Sequence, residues 1–121
     1  MNSMIEAVGI DLVEIADIKK RRSDAFVARI LSDEERHRYE AMTNEQRQLT
    51  FLAGRFAAKE AFAKVYHHFE TPINFNDITV RNDSDGAPTI LSDYQKDDSL
   101  HLSISHTPHY AVAIIIKEKA L

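Results

Sequence analysis

The chain has no cysteine, which excludes disulfides and thiolate metal sites. That absence fits a reducing compartment, and the cytoplasm is the expected location. No apolar stretch approaches the ~20 residues that a membrane helix needs. The first fifteen residues lack a basic start, and Asp11 and Glu14 interrupt their apolar run, so no signal peptide is expected. Positive charge is in deficit: Lys and Arg number 15 against 19 Asp and Glu, a formal net charge of −4. Bulk attraction to nucleic acid is therefore not expected. Proline is scarce, with none before Pro72, so helices in the first half run uninterrupted. What is present is ordinary for a soluble globular domain: 121 residues, 44% hydrophobic and 28% charged. A single domain over residues 1–121 is the default at this length.

One stretch organises the rest: Phe51-Leu52-Ala53-Gly54-Arg55-Phe56-Ala57-Ala58-Lys59-Glu60-Ala61-Phe62-Ala63-Lys64. Ala, Leu, Lys and Glu are good helix formers. The spacing predicts one long helix from Thr43-Asn44-Glu45 to about His67. At 100° per residue, Leu49, Leu52, Ala53, Phe56 and Ala63 gather on one face, and Phe51, Ala58, Phe62 and Val65 cover much of the other. A helix apolar on nearly all sides is buried. Glu60 falls among these side chains, and a bare buried carboxylate costs several kcal/mol or more. It needs a cation, either Lys64 one turn on or a metal ion. As a plain i,i+4 pair, Glu60 and Lys64 would add only about 0.2–0.5 kcal/mol.

Around this helix the chain divides cleanly. Residues 5–11 read as a strand. Asp11 interrupts its apolar run, either as a ligand or as the start of a capping box, Asp11-Leu12-Val13-Glu14, and the two are compatible. Residues 15–30 read as helix with a break at Ser23-Asp24. They carry Lys19, Lys20, Arg21, Arg22 and Arg29, a local positive patch in an acidic chain. It reads as a solvated helix face or as a docking surface for an acidic partner, and less well as a nucleic-acid surface, since no aromatic residues interleave. Ser32-Asp33-Glu34-Glu35 starts a short helix ending near Met42. Residues 74–82 alternate as a strand, Asn82-Asp83-Ser84-Asp85-Gly86 is a turn, and residues 87–91 return. The turn is not a calcium loop, because its glycine comes too early and no glutamate closes it. Leu100, Leu102 and Ile104 alternate with His101, Ser103 and Ser105 in a half-polar strand. The apolar run 111–116 reads as a central strand. A strand, then helices, then antiparallel strands make an α+β fold, with the long helix packed on an antiparallel sheet.

Two carboxylates without cysteine favour a hard cation. Mg²⁺ takes one or two protein carboxylates and leaves its other positions to water and substrate phosphates. Arg55, Lys59 and Lys64, on the same helix as Glu60, could meet those phosphates.

Gly9-Ile10-Asp11-Leu12, the block from Phe51 to Lys64, and Ser103-Ile104-Ser105-His106 resemble, in order and spacing, the three signature blocks of the holo-[acyl-carrier-protein] synthases. These are the short bacterial 4′-phosphopantetheinyl transferases, and the resemblance spans residues 5–116. It implies the transferase fold, assembled as a homotrimer with sites between subunits. It implies that coenzyme A donates phosphopantetheine to a serine of apo acyl carrier protein in fatty acid biosynthesis. Asp11 and Glu60 would be the two protein ligands of Mg²⁺. Lys64 would sit at the reacting phosphate, as the third catalytic residue. Arg55 and His106 would lie near the coenzyme's phosphates. The basic run, Lys19 to Arg29, would receive the acidic helix of the carrier protein. The chain departs from the family at residues 66–72, where the usual glycine-rich loop contains no glycine, and at Ala16 and Asp17, where basic residues are common. A non-catalytic module binding coenzyme A or the carrier on the same scaffold is the alternative. His67-His68 reads as a plain helix end.

Overall fold

The computed structural model describes residues 2–67 and 72–120. The chain runs β1 (Ser3–Glu14), α1 (Ile15–Arg21), α2 (Asp24–Ile30), α3 (Asp33–Ala41), α4 (Glu45–Val65), a 3₁₀ turn (Phe75–Asp77), β2 (Thr79–Asn82), β3 (Pro88–Leu91), β4 (Ser99–His106) and β5 (Tyr110–Ala120). The starts of α2, α3 and α4 are written in the sequence, whereas α1 begins after Glu14 with no side-chain cap. Ser23 Oγ accepts from Phe26 N, Asn44 Oδ1 accepts from Arg47 N, and Ser32 with Glu35 closes a full capping box.

β1, β5 and β4 form an antiparallel sheet in that order, with the apolar run of β5 in the middle as its composition requires. Alternation then sorts the sheet's two faces. Val13, Gly9, Ala111, Ala113 and Ile115 are buried on the inner face, under α4. The register pairs Val8 with Ile116, Ile10 with Ile114 and Leu12 with Val112 on the outer face. That face stays open: Leu12 is 66% exposed and Val8 55%.

α4 is buried on nearly every side, as its composition predicts. Leu52, Ala53, Ala57, Ala61, Phe62 and Val65 are inaccessible to solvent. The sheet covers one flank and α1, α2 and α3 pack on the others. The tightest approach is at Gly9, where an added Cβ would lie 2.2 Å from the Ala61 carbonyl oxygen. Strand and helix backbones touch there with no side chain between them.

Three expectations change. Asp11 starts no helix: β1 continues to Glu14, pairing Asp11 with Ala113, and α1 begins at Ile15. The strand expected over 74–82 is a 3₁₀ turn followed by a four-residue strand, because Phe75 turns in to meet Phe56 at 6.3 Å and Asn76 Nδ2 donates to the Ala28 carbonyl. α4 ends at Val65 rather than His67, with Tyr66 as its cap. The 82–86 turn and its hairpin form as expected. Asp83 Oδ1 accepts from the Asp85 and Ala87 amides, and Gly86 takes φ +85°, which glycine adopts without strain. Most of the glycine-free departure, and His68 of the His67-His68 pair, lie outside the described residues.

Candidate functional site

β1 and α4 cross where Gly9 meets Ala61, and the crossing sets the acidic residues beside each other. Asp11 follows Gly9 by two residues, on the same inner face of β1. Glu60 precedes Ala61 on α4. Lys64, one turn on, donates from Nζ to the Ile10 carbonyl at 2.7 Å and to Asp11 Oδ1 at 3.2 Å. Among the described ion pairs none joins Lys64 to Glu60, so the expected i,i+4 pair is replaced by one across the crossing. Burial, and then the charge of Asp11, pushes the Glu60 carboxyl above the usual carboxylate range, while Lys64 and Arg21 pull it back. Glu60 is half-buried rather than central to a closed face.

Glu60 lines a cleft of about 300 Å³ with Arg21, Arg29, Phe56, Phe75 and Asn76. The Arg21 guanidinium lies 5.0 Å over the ring of Phe26 and 5.3 Å over that of Phe56, and Arg29 lies 5.8 Å over Phe26. The basic patch therefore divides. Arg21 and Arg29 frame this cleft. Lys19 and Arg22 turn to Glu45, each at 3.3 Å, Arg22 also reaches the Tyr39 hydroxyl, and Lys20 is exposed.

Arg55 and His106 come together elsewhere, lining a groove of about 460 Å³ with Arg38, Arg47, Phe51 and Ile104. At 100° per residue, Arg55 and Glu60 are about 140° apart around α4. Arg55 is buried. Its Nη2 donates to Val80 O at 3.3 Å and Asn82 Oδ1 at 3.1 Å, its guanidinium stacks 4.3 Å from the Phe51 ring, and its Nε has no hydrogen-bond partner. Burial pulls its pKa down to about 10; Glu35 opposes that shift and Arg38 adds to it. A buried guanidinium with an unpartnered N–H, beside further cations, is chemistry suited to an anion. Arg38 and Arg47 were missed by the sequence reading. The i, i+4, i+8 spacing of Arg47, Phe51 and Arg55 was the signal available.

Lys59 cannot meet phosphates. It is fully buried and donates to Glu35 and to the Ile30 carbonyl, the latter at 2.7 Å. Glu35 also accepts from the Ser32 amide at 2.9 Å and the Val80 amide at 2.8 Å, so its capping role is one of several. Burial drives the Lys59 pKa down, and Glu35 opposes that shift.

Two carboxylates from two elements form a donor set with hard oxygens only. Among the described residues no cluster of three or more His, Cys, Asp or Glu could hold a metal ion. A two-carboxylate set suits Mg²⁺, which keeps positions for water and phosphate, better than an all-protein cage.

The long helix on an antiparallel sheet, with paired acids at their crossing, defines a class of protein, and comparison identifies it. A model of the 4′-phosphopantetheinyl transferase superfamily matches residues 7–115, and the chain belongs to that family. The holo-[acyl-carrier-protein] synthase of Acholeplasma laidlawii is 43% identical over 115 residues, covering 95% of this chain and 98% of that protein. That of Staphylococcus saprophyticus is 45% identical over 118 residues, covering 95% and 99%. The crystal structure of a holo-(acyl-carrier-protein) synthase from Bacillus anthracis in complex with CoA (3′,5′-ADP) superposes with a TM-score of 0.84 at 39% identity, covering 97% of this chain and 99% of that one. No described helix is long and apolar enough to cross a membrane.

Proposed function

We propose that this chain, as one transferase domain, moves 4′-phosphopantetheine from coenzyme A to a serine of apo acyl carrier protein, in fatty acid biosynthesis in the cytoplasm. The observation that carries the reading is the meeting of Asp11, Glu60 and Lys64 beside an aromatic, arginine-framed cleft in a chain of this family. Asp11 and Glu60 would hold Mg²⁺, which when bound supplies charge neutralisation at the coenzyme's pyrophosphate. Lys64, already fixed by the Ile10 carbonyl, would place its ammonium at the reacting phosphate and offset the charge that develops there. The serine oxygen would form a bond to the β-phosphorus, the bond from that phosphorus to the bridging oxygen would break, 3′,5′-ADP would leave with the bridging oxygen, and the serine proton would pass to water. Arg21 and Arg29, flanking the cleft, would orient the acidic carrier; Lys19, Lys20 and Arg22 would act through the field alone.

Arg55 and His106 would take the coenzyme's remaining phosphates, yet they lie around α4 from Glu60. A complete site therefore calls for two copies of the chain, and we propose a homotrimer. The open face of Ile5, Val8, Ile10, Leu12, Val112, Ile114 and Ile116 supports association, because exposed apolar patches of this kind mark interfaces. Sedimentation should give the mass of three chains; a species of 13.8 kDa at micromolar concentration would refute it.

The deciding experiment is a mass spectrum of apo acyl carrier protein after incubation with this protein, coenzyme A and Mg²⁺, with an EDTA control. One added phosphopantetheine, prevented by EDTA, is expected. No gain with several carriers tried would overturn the reading and leave a binding module.

A further inference from the structure

Beyond the site, one cluster of charge lies where apolar side chains would be expected. Lys117 stands on the inner face of β5, in line with Ala111, Ala113 and Ile115, and is only 6% exposed. An ammonium buried there must be paired. Its Nζ donates to Glu6 Oε1 at 2.7 Å, lies 3.5 Å from Asp98 Oδ2 and sits 4.8 Å above the ring of Tyr66. Tyr66 is itself buried. Its ring stacks on Phe62 at 4.8 Å, and its hydroxyl donates to Asp98 Oδ2 at 2.8 Å. Glu6 occupies an irregularity of β1: the register slips between Ile5 and Ala7, so Glu6 and Ala7 together face Lys117. Lys119 adds a weaker contact to Glu6 at 3.8 Å.

These four residues come from four places: the start of β1, the end of β5, the turn before β4 and the end of α4. Two of those places carry the site. Tyr66 caps α4 two residues after Lys64, and Glu6 lies five residues before Asp11 on β1. The Gly9–Ala61 contact fixes where the two elements touch, and the exposed Lys64 ammonium, bonded to Ile10 and Asp11, is a side-chain tie near the end of α4. A buried attachment beyond it, on the other side of Gly9 along β1, would hold the angle between them.

We propose that Lys117 and Tyr66, with Glu6 and Asp98, clasp the end of α4 to the start of β1 and so fix Lys64 and Glu60 relative to Asp11. They are positioning residues for the phosphoryl transfer, an inference that rests on the function proposed above. None of the four lines the Glu60 cleft or the Arg55 groove, and their effect would reach the reaction through the last turn of α4. A misplacement of about 1 Å at a reacting group can cost about 100-fold in rate, so a modest loosening is visible in kcat.

The test uses Tyr66→Phe, which removes one hydroxyl, and Lys117→Met, which keeps length and removes charge. Hydrogen exchange on the protein alone should show the amides of residues 64–67 exchanging at least tenfold faster, with Ala53 and Ala57 unchanged. In the transfer assay kcat should fall about tenfold while KM for coenzyme A stays within twofold, and the double variant should lose less than the product of the two single losses. Exchange and kcat both within twofold of wild type in both variants would overturn the clasp. So would uniform loss of protection along α4, or a rise in KM matching the fall in kcat. If the wild type itself transfers nothing, the transferase reading fails, and the exchange profile alone decides whether the clasp exists.

Discussion

Replacing Gly9 with alanine should do far more harm than the same change at Gly54. The new Cβ at residue 9 would lie 2.2 Å from the Ala61 carbonyl oxygen, 3.1 Å from its carbon and 3.0 Å from Val65 Cγ2. The first two are backbone atoms of a buried helix, so relief comes only by moving β1 away from α4 by about 1 Å. A gap of that size forfeits a quarter to a half of each dispersion contact across the crossing, and overpacking typically costs about 1–3 kcal/mol. We expect the upper end, about 2–3 kcal/mol, or a fall of roughly 6–15 °C in melting temperature for a chain of this size. The same movement carries Asp11 away from Glu60, so transfer should fall about 100-fold. At Gly54 an added Cβ meets only Ile104 Cγ2, at 3.3 Å, a half-buried side chain that can shift by a few tenths. There the helix gains roughly 0.5–1 kcal/mol from losing a glycine, and G54A should lie within about 1 kcal/mol of wild type. Thermal denaturation by circular dichroism and the carrier-loading assay measure both. G9A melting with the wild type, or G54A losing as much as G9A, would refute the reasoning.

Glu60→Gln separates stability from activity. The folded protein raises the Glu60 pKa, so its ionisation opposes folding: the cost is absent at acid pH and appears as pH rises through the carboxylate range. E60Q should therefore melt a few degrees higher than wild type at neutral pH, the gain vanishing below about pH 4, and should transfer nothing. Added Mg²⁺ should raise the melting temperature of wild type and not of E60Q; a rise in both would remove Glu60 from the metal. Lys59→Met leaves the Glu35 carboxylate buried without its cation and should cost about 3–5 kcal/mol, or about 2 M in urea midpoint. A shift under about 0.5 M would show that Arg55 suffices for Glu35. Arg21→Glu should weaken carrier binding about tenfold, roughly 1.4 kcal/mol, while Arg22→Glu should weaken it by about threefold, because Arg22 is turned away to Glu45 and Tyr39 and acts only through the screened field. Equal losses in the two variants would restore the undivided patch.

Features set by near neighbours were legible. Ser23, Ser32 and Asn44 cap the helices that follow them, and the alternation of β4 and the apolar run of β5 place those strands correctly. Asp11, Glu60 and Lys64 came from family resemblance, and the structure gathers them. What local pattern cannot carry is the choice among distant partners. Glu35 satisfies a capping box within four residues, and nothing nearby signals that it also receives Lys59, 24 positions away. Lys64 pairs with Asp11, 53 positions away, rather than with Glu60 one turn back on its own helix, because the crossing brings the Ile10 carbonyl and the Asp11 carboxylate within its reach together. Asp11 has capping-box spacing, but pairing with β5 out to Tyr110 keeps the backbone extended through Glu14. The alternation at Phe75 is that of a strand, and its contact with Phe56 overrides it.

Glu60 and His106 line separate clefts of one chain, and the proposed function gives that placement a genetic consequence. In the homotrimer proposed above, a subunit damaged in one half would keep the other half intact and would lend it to a neighbour. An E60Q chain and an H106A chain, each silent alone, would then complement when unfolded and reassembled together. Random assortment of equal amounts would restore about one site in four. Two broken alleles in one cell would behave as a working gene.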